Sequence, residues 1–400
     1  MLNSGVGVAA GADAIVAVKE AISDAKTQLN GVSVTTALLF ASSTYSQTDV
    51  LQTARAELGE NVIIFGGSTA GEISQHGPSM SPSIVVMLLS CGEDIQVGSA
   101  HIVEANKEPE AKGRLLGEEI SRSVTKNIVL SMLVADGLTV NPSAILRGLH
   151  ERLPGVPVVG GSAGDDGNYK QTFQYTGDEV LSSAVSALVF AGDLRYAVGV
   201  RHGWTPISGF KKITKVTGTV INEIDGKPAI ELYEEYLGRE KADTLKEVTL
   251  AKLALSYPLG IKDANSGEML LRAPFYVDAQ GSITCGGEVR EGAEVQLMMG
   301  TKESAIEAAR NSAQTALEAL GTKPKAAIIF NCHVRDTLFA SREQSKKEID
   351  AIQEVIGNDV PLAGFYTYAE QAPINNSNFN IKTCNNVNHN ETIVIVLLGD

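Results

Sequence analysis

Two short polar segments of this chain could do chemistry, and each directly follows an apolar run. The first, Gly160–Gly164, has the spacing Gly-x-Ser-x-Gly, which in many hydrolases places a nucleophilic serine at a strand-to-helix turn. That mechanism requires a helix directly after Ser162, and the following residues, Asp165–Lys170, are poor helix formers. Tight backbone turns explain these glycines better. We therefore expect a protein that is not an enzyme and has no catalytic residue.

The second segment, Cys332–Arg335, offers groups for binding. Arg335 could bind a carboxylate in bidentate fashion, or pair with a neighbouring acid such as Glu370. His333 in this segment and His202 are the histidines that could ligate a haem iron, although structural histidines are common.

A buried strand followed directly by glycine occurs three times along the chain. The copies are Asn61–Gly71, Val156–Asp166 and Val360–Ala369. Such repetition constrains the fold, and it places polar groups at the ends of three strands. The glycines are shared among the copies, whereas the polar residues after them differ. The pair Asp165 and Asp166 in the second copy could bind a cation or an amine, or cap a turn.

The elements around each copy follow one order: strand, helix, strand, glycine segment and strand. The first copy predicts strands Thr36–Ala41, Val62–Phe65 and Ser83–Leu89 with a helix near Thr48–Leu58. The second predicts strands Ile128–Ala135, Val156–Val159 and Ala184–Phe190 with a helix Pro142–Leu153. The third predicts strands Ala326–Phe330, Pro361–Ala363 and Thr392–Leu398 with a helix near Ser341–Ile356.

A strand-helix-strand unit favours parallel pairing, and the third strand of each copy could pair antiparallel. We therefore expect an α/β fold with mixed β-sheets, built from repeated β-α-β-β units with helices packed on them. The segment between the second and third copies does not follow this repeated order, and it includes a strand-like run at Ile213–Asn222. We expect two related domains, 1–228 and 229–400.

The composition indicates which kinds of partner are disfavoured and which cellular compartment to expect. A net charge of -14 argues against nucleic acid or an anionic membrane as the main partner. There is no apolar run of spanning length and no secretory signal at the N-terminus, so we expect a cytoplasmic protein. The four cysteines lie far apart without a Cys-x-x-Cys pair, which disfavours zinc and disulfide frameworks.

Several segments, taken in order, resemble the FIST sensory domain family. They are Phe65–Ile73, Val159–Asp166, Arg201–Pro206, Ile224–Ala229, Tyr257–Ile261, Leu271–Phe275, Asn331–Arg335 and Pro361–Thr367. The resemblance implies an N-terminal and a C-terminal FIST region and a role in intracellular signal transduction. It also implies a small ligand such as an amino acid, and some members are similar to haem-binding nitric-oxide sensors.

We therefore expect a stand-alone sensor that binds a small ligand in a cleft between its two regions and signals to a separate protein such as a histidine kinase. One wall would carry Ser68, Thr69, Asp136, Ser162 and Asp165, and the other Cys332, Arg335, Tyr366 and Glu370. One alternative is a haem-based nitric-oxide sensor that uses His202 or His333 and regulates a histidine kinase. Another is a self-assembling scaffold, and a homo-oligomer is compatible with each of the three.

Overall fold

The chain folds into a mixed α/β structure with three six-stranded sheets, one nine-stranded sheet and helices. A computed structural model describes residues 1–79, 81–238, 256–263, 266–374 and 384–400. Among these residues, no helix has the length and apolar character that a membrane crossing requires. The α/β fold class expected from the repeated units is confirmed.

The first copy and its surroundings contain β1 (Leu2–Ala10), α1 (Ala14–Gln28), β2 (Thr36–Ser42), α2 (Gln47–Leu58), β3 (Ile63–Thr69), β4 (Glu72–Ser74), β5 (Gly77–Pro78), β6 (Ser83–Cys91) and β7 (Ile95–Ile102). The second contains α3 (Pro109–Ser123), β8 (Ile128–Ala135), α4 (Pro142–Arg152), β9 (Val158–Ser162), β10 (Gln174–Thr176), β11 (Glu179–Leu181), β12 (Val185–Gly192) and β13 (Arg195–Arg201).

The next stretch contains β14 (Thr205–Pro206), β15 (Lys211–Thr217), β16 (Val220–Ile224), β17 (Lys227–Pro228), α5 (Glu231–Leu237), β18 (Leu259–Lys262), β19 (Met269–Arg272), β20 (Pro274–Val277), β21 (Ile283–Cys285) and β22 (Glu294–Met299). The third copy contains α6 (Lys302–Leu320), β23 (Ala326–Cys332), α7 (His333–Thr337), α8 (Arg342–Ile356), β24 (Leu362–Thr367), β25 (Glu370–Pro373), β26 (Asn386–His389) and β27 (Ile393–Gly399).

Each copy builds the centre of one six-stranded sheet. The sheet orders are β1-β6-β2-β3-β10-β11, β26-β25-β9-β8-β12-β7 and β13-β27-β23-β24-β4-β5. The two strands joined by the crossover helix pair in parallel in all three sheets, and the third strand of the copy pairs antiparallel. The pairing pattern predicted from the sequence is therefore confirmed.

A short strand after each glycine segment leaves its own copy and joins another sheet. β4 of the first copy pairs with β24 of the third, β10 of the second with β3 of the first, and β25 of the third with β9 of the second. This cyclic exchange ties the three sheets together at the ends of their strands.

The shared glycines allow a close approach between neighbouring strands. Gly66, Gly160 and Gly364 each lie opposite the residue of the parallel neighbour whose carbonyl oxygen would be 1.9–2.0 Å from an added Cβ. No side chain can be accommodated at that distance, so glycine is required at all three positions.

The three sheets enclose a common apolar core, and helices cover their outer faces. Phe40 of the first sheet, Val134 of the second and Phe330 of the third belong to this shared core. Helices α1 and α2 pack on the first sheet, α3 and α4 on the second, and α6 and α8 on the third. The amphipathic helices thus bury their apolar faces against the strands that the same copy supplies.

The nine-stranded sheet has its own apolar core. The prediction of a single strand-like run at Ile213–Asn222 is wrong, because two strands, β15 and β16, form an antiparallel pair there. Gly218, with φ +64°, allows the tight turn between them.

Candidate functional site

A polar cleft of about 600 Å³ lies between α4 of the second copy and the nine-stranded sheet. Its walls carry four basic side chains, four acidic side chains and three asparagines. They are Arg147, Lys262, Arg272, Arg290, Asp263, Glu288, Glu291, Glu294, Asn385, Asn386 and Asn388. The volume suits a small molecule, and the lining suits a charged one.

Arg272 is the most unusual group in this cleft, because its guanidinium is buried and has no carboxylate partner among the described residues. The residue is 5% exposed. Its Nε donates to the carbonyl oxygen of Glu288 at 2.9 Å, and its Nη1 donates to the carbonyl oxygens of Leu271 at 2.8 Å and Asn388 at 3.3 Å. No carboxylate of the described ranges lies within 4.0 Å of it. Burial lowers the pKa of this guanidinium.

Asn388 is another lining residue of the cleft with an unused donor. It is 2% exposed, and its Nδ2 has no hydrogen-bond partner within the part of the chain that the structure describes. Its Oδ1 accepts from Gln371 Nε2 at 3.1 Å, which fixes the orientation of the amide. A buried guanidinium without a carboxylate of the described ranges within 4.0 Å fits an anionic ligand, since buried charges are normally paired.

Glu288 connects the two walls of the cleft. Its Oε1 accepts from Asn141 Nδ2 at 2.9 Å, and its Oε2 accepts from Arg147 Nη1 at 2.5 Å. Burial raises the pKa of the Glu288 carboxyl, but these hydrogen bonds outweigh that effect and hold the pKa below its usual value. Asn141 caps α4, and the backbone carbonyl of Glu288 binds Arg272, so one residue links the helix to the buried guanidinium.

None of the nine ligand residues expected from the sequence lines this cleft. The residues of the first expected wall are buried and mostly hydrogen-bonded within the protein. Ser68 Oγ donates to the carbonyl oxygen of Gly164 at 2.7 Å, and Thr69 Oγ1 donates to Glu72 Oε1 at 2.5 Å. Ser162 Oγ accepts from Gln371 Nε2 at 3.3 Å.

The two aspartates of that wall organise loops. Asp136 accepts from the backbone N–H groups of residues 138 and 139 at 2.9 and 2.8 Å and from that of Ser183 at 3.1 Å. Asp165 accepts from three successive backbone N–H groups, at residues 169–171, and from the Tyr368 hydroxyl. Residues 163–173 contain no helix, so Ser162 does not sit on a nucleophile elbow.

The second expected wall is also buried. Arg335 Nη2 lies 2.5 Å from Glu348 Oε1, and both side chains are fully buried. The acid that pairs with Arg335 is therefore Glu348 and not Glu370. Burial raises the pKa of the Cys332 thiol well above its usual value, which makes it a poor nucleophile. The Arg342 guanidinium lies 5.6 Å from the Tyr366 ring.

Glu370 is a buried acid held by hydroxyl groups. It accepts from Thr367 Oγ1 and, at 2.8 Å, from Thr392 Oγ1. Burial raises its pKa to about 7, which these hydrogen bonds only partly offset. Glu72 in the first copy has the same environment, with hydrogen bonds from Thr69 and Ser83 and a pKa that burial raises to about 7.

The structure does bring the ends of the repeated strands together. The backbone N–H of Ser162 donates to the carbonyl oxygen of Ala369 at 2.7 Å, and that of Gly164 donates to Ser68 at 3.1 Å. Hydrogen bonds among the copies themselves connect the strand ends there. Ligand contact by the nine strand-end residues stays a prediction.

The two histidines do not fit a haem in the cleft, because neither lines it. His202 Nδ1 accepts from the backbone N–H of Trp204 at 3.0 Å, and burial lowers its pKa to about 4. Burial likewise lowers the pKa of His333, whose ring centroid lies 6.2 Å from that of Tyr368. Within the described ranges, no group of three or more His, Cys, Asp or Glu side chains could hold a metal ion.

Sequence reasoning missed Arg272 and Asn388. A signal for Arg272 was present, because a charged residue directly follows the apolar Met269–Leu271 and ends a short strand. Its unpaired state could not be read from sequence, since it depends on which groups the folded chain brings near it. Asn388 belongs to an Asn-rich stretch, 385–390, that carries no recognisable motif.

Two solved structures similar to this chain are cyanuric acid hydrolases. One, from A. caulinodans, has a TM-score of 0.40 with 8% identity over 99% of both chains. The other has a TM-score of 0.42 with 8% identity over the whole of both chains, and is described as a case of structural concatenation. These proteins are enzymes, which contradicts our expectation that the chain is not one, and we withdraw it. Such a weak likeness assigns no reaction to this chain.

Curated relatives are uncharacterised. A protein of Mycobacterium tuberculosis is 24% identical over 93% of this chain and 95% of its own length. One of Mycobacterium bovis is 25% identical over the same shares. A protein of Methanocaldococcus jannaschii is 33% identical over 28% of this chain, and this match spans only 23% of the archaeal protein.

A family comparison covers most of the chain. Residues 35–227 match the FIST N domain and residues 229–373 match the FIST C domain. FIST domains are sensory signalling domains. The chain belongs to the FIST family.

Proposed function

We propose that this protein is a cytoplasmic sensor that binds a small carboxylate-bearing ligand, such as an amino acid, in the 600 Å³ cleft and signals to a separate protein. Arg272 is the residue that anchors the carboxylate. The observation that carries the proposal is its buried guanidinium, which has no carboxylate of the described ranges within 4.0 Å.

The energetics favour a bound anion over an empty cleft. Burying a cation without a counter-charge is costly, and the cost falls when a carboxylate supplies both charge and hydrogen bonds. Each hydrogen bond to a charged group contributes about 1.5–3 kcal/mol. Asn388, whose backbone carbonyl accepts from Arg272 Nη1 at 3.3 Å, also lines the cleft.

The position of the cleft suits a sensor. One wall is α4 of the three-sheet body and the other is the nine-stranded sheet, so a ligand contacts both. Binding can then change how these parts sit against each other, which a partner such as a histidine kinase would detect.

We also propose that the two domains comprise residues 1–228 and 229–400.

A thermal-shift screen with the purified chain tests the proposal. Amino acids, small mono- and dicarboxylates and uncharged analogues are compared with the wild type, Arg272→Gln and Arg122→Gln. Arg122 is the control, because it lies outside the cleft and pairs with Glu119 on the same helix. We expect shifts with one class of carboxylate in the wild type and in Arg122→Gln, and none in Arg272→Gln. Flat curves across all carboxylates, or equal shifts in Arg272→Gln, would contradict it.

A further inference from the structure

The cleft contains a second arginine that is not paired with an acid of the described chain. Arg290 lines the cleft and is exposed. Within residues 1–79, 81–238, 256–263, 266–374 and 384–400, no carboxylate oxygen lies within 4.0 Å of its guanidinium, and its side chain makes no hydrogen bond. Arg272 and Arg290 are therefore two cations of one cleft that are open to a ligand.

The other two cations of the cleft are already paired. Arg147 Nη1 lies 2.5 Å from Glu288 Oε2, and its Nε lies 3.1 Å from Glu110 Oε2. Lys262 Nζ lies 3.0 Å from Glu294 Oε2. A ligand would have to compete with these carboxylates for Arg147 and Lys262, whereas it meets no such competition at the two open arginines.

Most acids of the cleft are also engaged. Glu288 and Glu294 take part in the ion pairs just described. Asp263 Oδ2 accepts from the backbone N–H and the hydroxyl of Ser266, both at 2.8 Å. Glu291 is the remaining acid among the described lining residues; it is exposed and has no cation within 4.0 Å. One open acid against two open arginines favours a ligand with more negative than positive charge.

The two open arginines are close enough for one small molecule to contact both. Arg272 Nε lies 2.9 Å from the carbonyl oxygen of Glu288, and Arg290 is two residues further along the chain. Since consecutive Cα atoms are about 3.8 Å apart, the Cα of Arg290 lies no more than about 13 Å from Arg272 Nε. The long side chain of Arg290 is exposed and can shorten this separation.

We propose that the ligand is a dicarboxylate, with one carboxylate bound by Arg272 and the other by Arg290. This inference rests on the carboxylate-binding function proposed for the cleft, and it adds Arg290 as the residue that distinguishes dicarboxylates from monocarboxylates. Arginine suits this role, because its planar guanidinium can donate two parallel N–H groups to one carboxylate. Acidic amino acids and plain dicarboxylates share this chemistry and differ in the amine, for which Glu291 is the open acid.

Isothermal titration of sodium butyrate, malonate, succinate, glutarate and aspartate at one ionic strength tests the inference. We expect at least one dicarboxylate to bind the wild type at least about threefold more tightly than butyrate, because only a dicarboxylate also contacts the exposed Arg290. Tighter binding of aspartate than of succinate, lost in Glu291→Gln, supports the proposal and indicates an acidic amino acid. Succinate binding at least as tight as that of aspartate supports it and indicates a plain dicarboxylate.

Arg290→Gln should remove most of the preference for dicarboxylates over butyrate. Arg195→Gln is the matched control and should keep it, because Arg195 is also exposed and unpaired among the described residues but lies outside the cleft. An undiminished preference in Arg290→Gln would overturn the inference. Arg272-dependent binding of butyrate with no preference for any dicarboxylate would overturn it too and leave the proposed function standing. If none of the five compounds binds, both fail.

Discussion

Two buried arginines differ in what surrounds them, and the difference separates structure from function. Arg335 is fully buried and pairs with Glu348, while its remaining N–H groups bind oxygens of Asn331, Ala305 and His202. Arg272 is nearly as buried, yet its hydrogen-bond partners in the described ranges are all backbone carbonyls. Arg335 is paired and hydrogen-bonded within the protein, whereas Arg272 retains a positive charge that a ligand can neutralise.

Removing Glu348 should therefore destabilise the fold strongly. Glu348→Ala leaves Arg335 charged and buried without a partner, and we expect the free energy of unfolding to fall by about 3–5 kcal/mol. Glu354→Ala is the control, because Glu354 and Arg310 form a pair with side chains 60% and 38% exposed, and such pairs contribute about 0.2–1 kcal/mol. Urea denaturation measures both, and similar losses would contradict this assignment of Arg335.

At this scale the sequence reveals residue types but not partners. Cys332–Arg335 was expected to follow a buried strand, and in the structure β23 ends at Cys332 and α7 begins at His333. The acid opposite Arg335 was not, because Glu348 lies on α8 and reaches it only through the packing of that helix on the sheet. Arg272 was passed over for the same reason, since its significance lies in the absence of an acid.

At the scale of elements, the three exchanged strands place equivalent residues at equivalent positions. Glu72, Glu370 and Gln174 each pair with the residue that directly follows the shared glycine of another copy. The first and third copies thus carry a buried carboxyl group where the second carries an amide. This natural substitution indicates that the position tolerates a neutral side chain.

Glu72→Gln should consequently change the pH dependence of stability. Burial raises the pKa of Glu72 from 4.5 to about 7 in the folded state. Its stabilising contribution is complete below pH 4.5, and it is lost as the pH rises through about 7, because the folded state must give up a proton that it holds more tightly. This loss amounts to about 3 kcal/mol.

Urea unfolding of the wild type and Glu72→Gln between pH 4 and pH 8 measures that loss. We expect the variant to lose less stability over this range than the wild type. Glu307→Gln, at a side chain that is 62% exposed, should follow the wild type. A Glu72→Gln profile parallel to that of the wild type would show that this carboxyl does not titrate as described.

The shared glycines give a second prediction for the elements. In Gly364→Ala the new Cβ would lie 2.0 Å from the carbonyl oxygen of Ile329, so the strands must separate, at a cost of about 1–3 kcal/mol or more. Gly209→Ala is the control, because nothing lies within 4 Å of its added Cβ. Denaturation midpoints compare the two, and equal stabilities would contradict the close approach.

The repeated units were predictable because each contains a long apolar run with a clear period. The exchanged strands were not, since β4, β10 and β25 have only three or four residues. Segments of that length carry too little periodicity to indicate a strand, and nothing local specifies which sheet they join. The cleft was missed for a related reason, because one wall comes from the region between the second and third copies.

At the scale of the whole molecule, the cleft lies where the three-sheet body meets the nine-stranded sheet. Glu288 spans this junction through Arg147 and Asn141 on one side and Arg272 on the other. A ligand carboxylate at Arg272 would alter the charge next to this link. Under the proposed function, residues that contact the ligand would therefore also report its presence to the rest of the chain.

Isothermal titration of the carboxylate that gives the largest thermal shift measures directly what Arg272 contributes to binding. We expect Arg272→Gln to raise the Kd at least about tenfold, because a charge-assisted contact worth about 1.5–3 kcal/mol is lost. Arg122→Gln, outside the cleft, should bind as the wild type does. A Kd that is unchanged in Arg272→Gln would contradict the account.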